Sequence, residues 1–356
     1  MRTPRDDGFR VPAEWAPHAR CWMAWPCRES LWGDGLEAAR DAYAAVAKAI
    51  ADFEPVTMLA EPDCLTDASV RCGSGVACMP MEMDDSWMRD SGPTFLLGPD
   101  GALAAVDWVF NAWGQRYRPY DRDAALARQV IDYVGAKRYP APLVTEGGAL
   151  HVDGEGTLLA VEPTLVNDNR NPGKNRAEIE ALLLAYTGCS KLIWLPGGLH
   201  ADETDGHVDN VACFASPGVV AAVVTEDRDD PSWEALQANL EVLRSTTDAA
   251  GRKLKVVPLP LPKAVKDGQG GRLSLSYVNF YVANGGVILP GFDDAADDKA
   301  FDTVVSLFPG RRVVQVPVLD ILRGGGGIHC ITQQQPAPPA GSDDTAADEA
   351  APDDRA

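Results

Sequence analysis

Five stretches with helical hydrophobic spacing each run into a short apolar stretch of strand character, and this recurrence restricts the fold more than any other feature of the chain. The first helix is expected from Leu36 to about Phe53, with Ala39, Tyr43, Val46 and Ile50 recurring at three- and four-residue spacing. Pro55 ends it, and Val56–Ala60 follows as a buried strand. The same alternation places helices over 123–134, 175–186 (stopped by Gly188), from Pro231-Ser232 onward, and over 300–308. Their strands are expected at 142–145, 191–195, 253–258 and 312–316. Trp233, Leu236, Leu240 and Leu243 form the stripe of the fourth helix; Phe301, Val304, Val305 and Phe308 form that of the fifth. A Gly-Gly pair before an apolar residue echoes at 147–148, 197–198, 285–286 and 326–327, although paired glycines are often only turns. About five strand–helix–strand units in one α/β chain imply a closed, quasi-symmetric arrangement with the Gly-rich loops gathered at one end.

No linker appears before about residue 335, so 1–335 is read as one domain. Its first 35 residues, rich in Pro and Trp, are expected to form a packed arm. Residues 336–356 are read as an acidic, disordered tail: 341–356 hold six acids against Arg355 and no large apolar residue. A net charge of −20 argues against nucleic acid and anionic membranes and is compatible with a cationic ligand. No apolar run approaches the ~20 residues of a membrane span, and the N-terminus has no apolar signal region. The eight cysteines include no CxxC pair, which suits scattered core thiols in a reducing, cytoplasmic compartment.

The stretch from Arg323 to Thr332 carries the chemistry. After strand-like Val313–Val316 and Ile321-Leu322, Gly324–Gly327 give backbone freedom and close approach, and Cys330 stands just beyond. Such a cysteine is either a displayed nucleophile or a buried, inert thiol. Three polar clusters accompany it: Asp84–Pro93 with Trp87 and Asp90, Glu146 at a strand end, and His200–Asn210. A strand beginning near His207 would turn His207 and Asp209 to one side. The third cluster has neither the spacing of an EF-hand loop nor a helical HExxH, so no metal is expected. Two carboxylates could grip a planar cation by charge-assisted bonds. A thiolate could attack its carbon, while a histidine serves the leaving amine and then water. A cysteine hydrolase of amides and a non-catalytic guanidine- or polyamine-binding protein are the rival classes.

The motifs PAEWAPH (12–18), WMAWP (22–26), DDSWMRDSGPTF (84–95), NAWG (111–114), PYDRD (119–123), EGGA (146–149), ETDGHVDN (203–210), NFYVANGGVI (279–288) and GGGGIHCITQQ (324–334) occur in one order. Over 11–336 the chain resembles the agmatine deiminases, within the guanidino-modifying pentein group that includes arginine and peptidylarginine deiminases. The resemblance implies a five-bladed β/α-propeller with pseudo-five-fold repeats. It implies Cys330 as nucleophile, His207 as general acid/base, Asp90 and Asp209 as guanidinium carboxylates, Glu146 as a further guanidinium contact and Trp87 as an aromatic wall. Trp113 is a second candidate to cover the substrate's methylene chain. The implied substrate is a small cationic guanidine, agmatine, converted to N-carbamoylputrescine and ammonia for putrescine synthesis without metal or organic cofactor. Arginine or peptidylarginine is the alternative substrate, and a homo-oligomer is compatible with the resemblance. Gly327 replaces the family's usual Asn, and Gly114-Gln115-Arg116 departs from its usual Gly-Gly-Lys. Carboxylates around Cys330 should make thiolate formation depend on bound cation.

Overall fold

The computed structural model describes residues 2–266 and 271–339. Among these, the strands fall into five separate sheets. Four sheets repeat one plan: a short antiparallel pair, then a helix that returns the chain to a third strand parallel to the second. Their strands are Thr94–Leu97, Leu103–Val109 and Lys137–Val144; His151–Val152, Thr157–Val161 and Lys191–Leu195; Ala212–Ser216, Val219–Val224 and Lys255–Pro260; Tyr281–Ala283, Gly286–Gly291 and Arg312–Pro317. The remaining sheet joins distant parts of the chain. Thr332–Pro336 lies antiparallel on His18–Ala24, with His18 opposite Pro336 and Met23 opposite Thr332. Val56–Ala60 and Val76–Pro80 extend it in parallel. The five units make the expected five-bladed β/α-propeller.

The local reasons are visible in the elements. Helix Leu36–Ala51 turns Ala39, Tyr43, Val46 and Ile50 fully inward, each large apolar side chain contributing about 1.5–3 kcal/mol by burial. Val56–Ala60 and Thr157–Val161 are buried along their whole length, which is why they read as unbroken apolar runs. Helix Arg176–Thr187 opens with a capping box between Asn175 and Glu178 (3.1 and 2.8 Å). It closes at Gly188 with φ +74°, where a Cβ would strike the Phe9 carbonyl.

Several elements differ from expectation. The helix expected over 300–308 spans Asp297–Leu307, so Ala300 and Val304 face inward and Val305 is exposed. Ile321 and Leu322 belong to a short helix, Leu319–Leu322, rather than a strand. The Trp-rich N-terminal stretch is packed as expected, but it contributes strand His18–Ala24, with Trp22 and Trp25 fully buried. Helix Leu65–Cys72 was not foreseen. Pro336 is the last residue of the closing strand, and the Ala337 N–H donates to the Pro17 carbonyl; the acidic tail from 340 onward lies outside the described residues. All eight cysteines are free thiols. No helix among the described residues is long and apolar enough to cross a membrane.

Candidate active site

Loops that follow or separate the strands bring Cys330, His207, Asp90, Asp209 and Glu146 together. Gly148 lies at the junction: its N–H donates to Asp90 Oδ1 (2.9 Å). A Cβ on Gly148 would lie 2.5 Å from His207 Nδ1 and 2.9 Å from both Asp90 Oδ1 and Asp209 Oδ2. The bare α-carbon is therefore what lets three functional side chains converge.

His207 and Asp209 are not on a strand. They belong to a tight turn in which Val208–Asn210 form one 3₁₀ turn, ahead of strand Ala212–Ser216. The turn is pinned from two sides. The His207 N–H donates to Thr204 Oγ1 (3.0 Å), and fully buried Arg170 reaches Asp205 Oδ2 (2.8 Å) and the Thr204 carbonyl (3.0 Å). Arg170 Nε also donates to Glu146 Oε1 (2.7 Å), while His207 Nε2 donates to Glu146 Oε2 (3.3 Å). Both Glu146 oxygens are thus engaged within the protein, behind the imidazole. His207 Nδ1 has no hydrogen-bond partner and lies 3.8 Å from Asp90 Oδ2. Asp90 Oδ2 accepts from Trp113 Nε1 (2.9 Å).

Asp209 is held from the other side. Its Oδ2 accepts from His329 Nδ1 (2.8 Å), and His329 Nε2 donates to Glu14 Oε1 (2.6 Å). With a carboxylate on each ring nitrogen, His329 is an imidazolium. Asp209 Oδ1 is buried with no hydrogen-bond partner. Cys330 sits in the 3₁₀ turn His329–Ile331, its sulfur 3.6 Å from Asp209 Oδ2 and 3.2 Å from Asn279 Nδ2.

Electrostatics follow from this packing. Burial pushes the Cys330 thiol well above its ordinary range, and Asp209 and Asp90 push it further. Burial raises the Asp90 carboxyl to about 6; His207 opposes this, and Asp209 and Glu146 reinforce it. For His207 burial disfavours the imidazolium, but Asp90, Glu146 and Asp209 outweigh it and lift the group to about 9. Asp209 is lowered despite burial, chiefly through its bond to His329. Glu146 is also lowered despite burial, by His207 and Arg170. At neutral pH the acids are charged, His207 carries a proton and the thiol keeps its own.

A cleft leads from Cys330 and Asp90 between Trp87 and Trp113 to Tyr117, Arg116 and Glu203 at the mouth. Trp87 stacks on Trp32 (centroids 5.9 Å, 24°), and the pair presses against the glycine run so closely that a Cβ on Gly326 would lie 2.5 Å from the Trp87 ring. Trp113 reaches the cleft from a strained backbone: Ala112, Trp113 and Gln115 have φ between +53° and +63°. Asn111 Oδ1, accepting from the Gly114 N–H (2.8 Å), holds this turn. Sequence reading missed His329, Glu14, Asn279 and Arg170. The first three lie inside the quoted motifs, and membership of a motif was a usable signal, strengthened for His329 by its adjacency to Cys330; Arg170 lies in none. No group of His, Cys, Asp and Glu among the described residues could hold a metal ion.

A propeller of this plan with a thiol, an imidazolium and two carboxylates at its centre defines a hydrolase of guanidino C–N bonds, of the pentein type. The chain belongs to the Porphyromonas-type peptidyl-arginine deiminase family, whose sequence profile matches residues 10–336. It is 47% identical over 359 residues to the agmatine deiminase of Pseudomonas aeruginosa, covering 94% of this chain and 98% of that protein. It is 46% identical over 359 residues to that of Ectopseudomonas mendocina, with the same coverage. The solved agmatine deiminase of Enterococcus faecalis superposes with a TM-score of 0.92 at 37% identity, over 95% of this chain and 98% of that one.

Proposed function

We propose that this chain hydrolyses the guanidinium of agmatine to N-carbamoylputrescine and ammonia through a covalent adduct on Cys330, as a step toward putrescine. The observation that carries the reading is the convergence of Cys330, His207, Asp90 and Asp209 about Gly148 and the Cys330 sulfur, with Cys330 and Asp90 lining the cleft and Asp209 Oδ1 and His207 Nδ1 unpartnered. Asp90 and Asp209 hold the planar cation. Its positive charge offsets theirs, so that the Cys330 thiol releases its proton to solvent as the cation binds. The sulfur forms a bond to the guanidinium carbon, a C–N bond breaks, and the departing nitrogen takes the His207 proton and leaves as ammonia. Water, giving a proton to the now neutral His207, attacks the thiouronium; the C–S bond breaks, the leaving sulfur takes the hydroxyl proton to restore the thiol, and the ureido product leaves. Glu146 acts on this sequence through His207, which it orients and keeps charged. We also read the setting as cytoplasmic, in keeping with eight free thiols.

Agmatine rather than arginine is supported by the mouth. Glu203, bonded to the Tyr117 hydroxyl (2.5 Å), offers a carboxylate for a distal ammonium, and Trp87 and Trp113 flank the methylene path. Arg116 also lines the cleft and favours the second reading, a substrate with an α-carboxylate, although it leans toward Asp205 (3.9 Å). Measuring kcat/KM for agmatine, free arginine and an arginine peptide decides between them; equal values or a preference for arginine would overturn the agmatine assignment. Cys330→Ala should be inactive, and acid-quenched enzyme should carry a substrate-derived mass on Cys330 alone.

A further inference from the structure

We infer that Asn279 is a further catalytic residue: its side-chain amide donates to the Cys330 sulfur and stabilises the thiolate, and in this chain the amide fills the space beside Gly327. Asn279 is buried, just ahead of strand Tyr281–Ala283. Its Oδ1 accepts the His329 N–H at 2.9 Å, which settles which end of the amide is which. The NH2 end then has two main acceptors, Asn210 Oδ1 at 2.9 Å and Cys330 Sγ at 3.2 Å, with a longer contact to the Asp209 carbonyl at 3.4 Å. The Asn279 oxygen is farther from the sulfur, at 3.7 Å. One N–H for Asn210 and one for sulfur exhaust the donors of the amide.

The surroundings of that sulfur explain why such a donor matters. Burial, Asp209 and Asp90 all oppose negative charge on it; the Gly327 N–H and the Asn279 amide act in the other direction. A lysine or arginine there would stabilise a thiolate more strongly, but it would repel the guanidinium that the same few ångströms must admit. A neutral dipole avoids that conflict. Gly327 is not among the glycines with positive φ, so backbone conformation does not demand a glycine there. Space does. A Cβ at 327 would meet Asn279 Oδ1 closer than real contacts come, and would lie 3.0 Å from its Cγ.

The inference rests on Cys330 being the nucleophile, and its test is separable from that reading. Alkylation of Cys330 by iodoacetamide, followed by peptide mapping across pH, reports the thiolate in the free enzyme without turnover. Asn279→Ala should move the rising limb up by about one to two pH units, the worth of a hydrogen bond to a charged acceptor. Because a more basic thiolate is also more nucleophilic, alkylation at fixed pH should slow by only about three- to tenfold. Gly327→Ala should do the same by displacing the amide. Asn279→Asp keeps the acceptor for the His329 N–H and nearly the same shape, but sets a carboxylate against the sulfur; it should be the slowest of the three in alkylation and turnover. A purely structural role predicts the reverse order, with the Asp variant close to wild type, and that result would overturn the inference while leaving an inactive Cys330→Ala intact. An active Cys330→Ala would overturn both readings.

Discussion

Two buried clusters among the described residues, each with a histidine, a glutamate and a thiol, invite comparison, and we propose that only one of them reacts. At the seam between the first and last sheets, His18 Nδ1 lies 3.1 Å from Glu54 Oε2. The Tyr281 hydroxyl donates to Glu54 Oε1 (2.6 Å), and the Asn284 N–H donates to Oε2 (2.7 Å). The Asn284 side chain ties the His18 backbone at both its N–H (2.9 Å) and its carbonyl (2.8 Å). Cys21 lies beside them, fully buried, its thiol pushed up by burial and by Glu54. Cys330 is equally shielded and pushed in the same direction by the same causes. The difference lies in access, since His18 Nε2 is also buried without a hydrogen-bond partner. Both Glu54 oxygens are occupied, and Cys21 lines no cleft described here. Beside Cys330, Asp209 Oδ1 and His207 Nδ1 have no partner, and two tryptophans wall a path to solvent. Unspent hydrogen-bonding capacity and residue types are common to both clusters; the access route beside Cys330 and Asp90 is what separates them.

The comparison predicts where mutation reads out as activity and where as stability. His207→Ala should lower kcat by about 10²–10⁴ with the fold intact, checked by steady-state turnover beside circular dichroism. Retained turnover would break the distinction. Asp90→Asn should lower kcat/KM by about 10–10², the worth of one charge-assisted bond. It should also change the pH profile. In the unmutated enzyme Asp90 must be charged to bind a cation, so kcat/KM should fall as pH drops through about 6. His207 must hold its proton for the leaving ammonia, so kcat/KM should fall again as pH rises through about 9. The two limbs belong to a coupled set, and Asp90→Asn should flatten the acid one. Glu54→Gln should show the smallest catalytic effect, with kcat/KM within about twofold of the parent and stability lower by about 1–3 kcal/mol as buried partners lose their acceptor. Chemical denaturation checks the second half; a large loss of turnover in a well-folded Glu54→Gln protein would erase the contrast.

Much of this was legible in the chain itself. Strands 56–60 and 191–195 were read to the residue because Pro55 and the Gly188 stop punctuate apolar runs that are buried on both faces. Helical stripes were legible wherever burial followed one face; Val305 was misassigned because the helix starts three residues early and its inner face runs through Ala300 and Val304. Ile321-Leu322 is too short to carry a period, so its helix could not be told from a strand. Motif order singles out Cys330, His207, Asp90 and Asp209, the residues proposed as nucleophile, acid–base group and guanidinium carboxylates, and the fold brings them together. The partners that set their charge were less so. Arg170 contacts Glu146 from 24 residues away with no motif around it, and Glu14 meets His329 across 315 residues. The first pairing depends on how one blade folds back on itself and the second on how distant parts of the chain meet, and local pattern encodes neither.

That closure has a consequence for synthesis. Cys330 precedes by two residues the strand that zips onto His18–Ala24, and Glu14, which anchors His329 beside it, comes from the opposite end of the chain. As the polypeptide leaves the ribosome, the carboxylates and His207 emerge more than a hundred residues before the thiol. A product stalled before residue 330 therefore lacks the proposed nucleophile altogether, and even a chain that has reached Cys330 must dock Thr332–Pro336 before His329 meets Glu14. The thiol chemistry proposed for Cys330 therefore waits on the docking of Thr332–Pro336 against His18–Ala24, and the propeller cannot run it half-made.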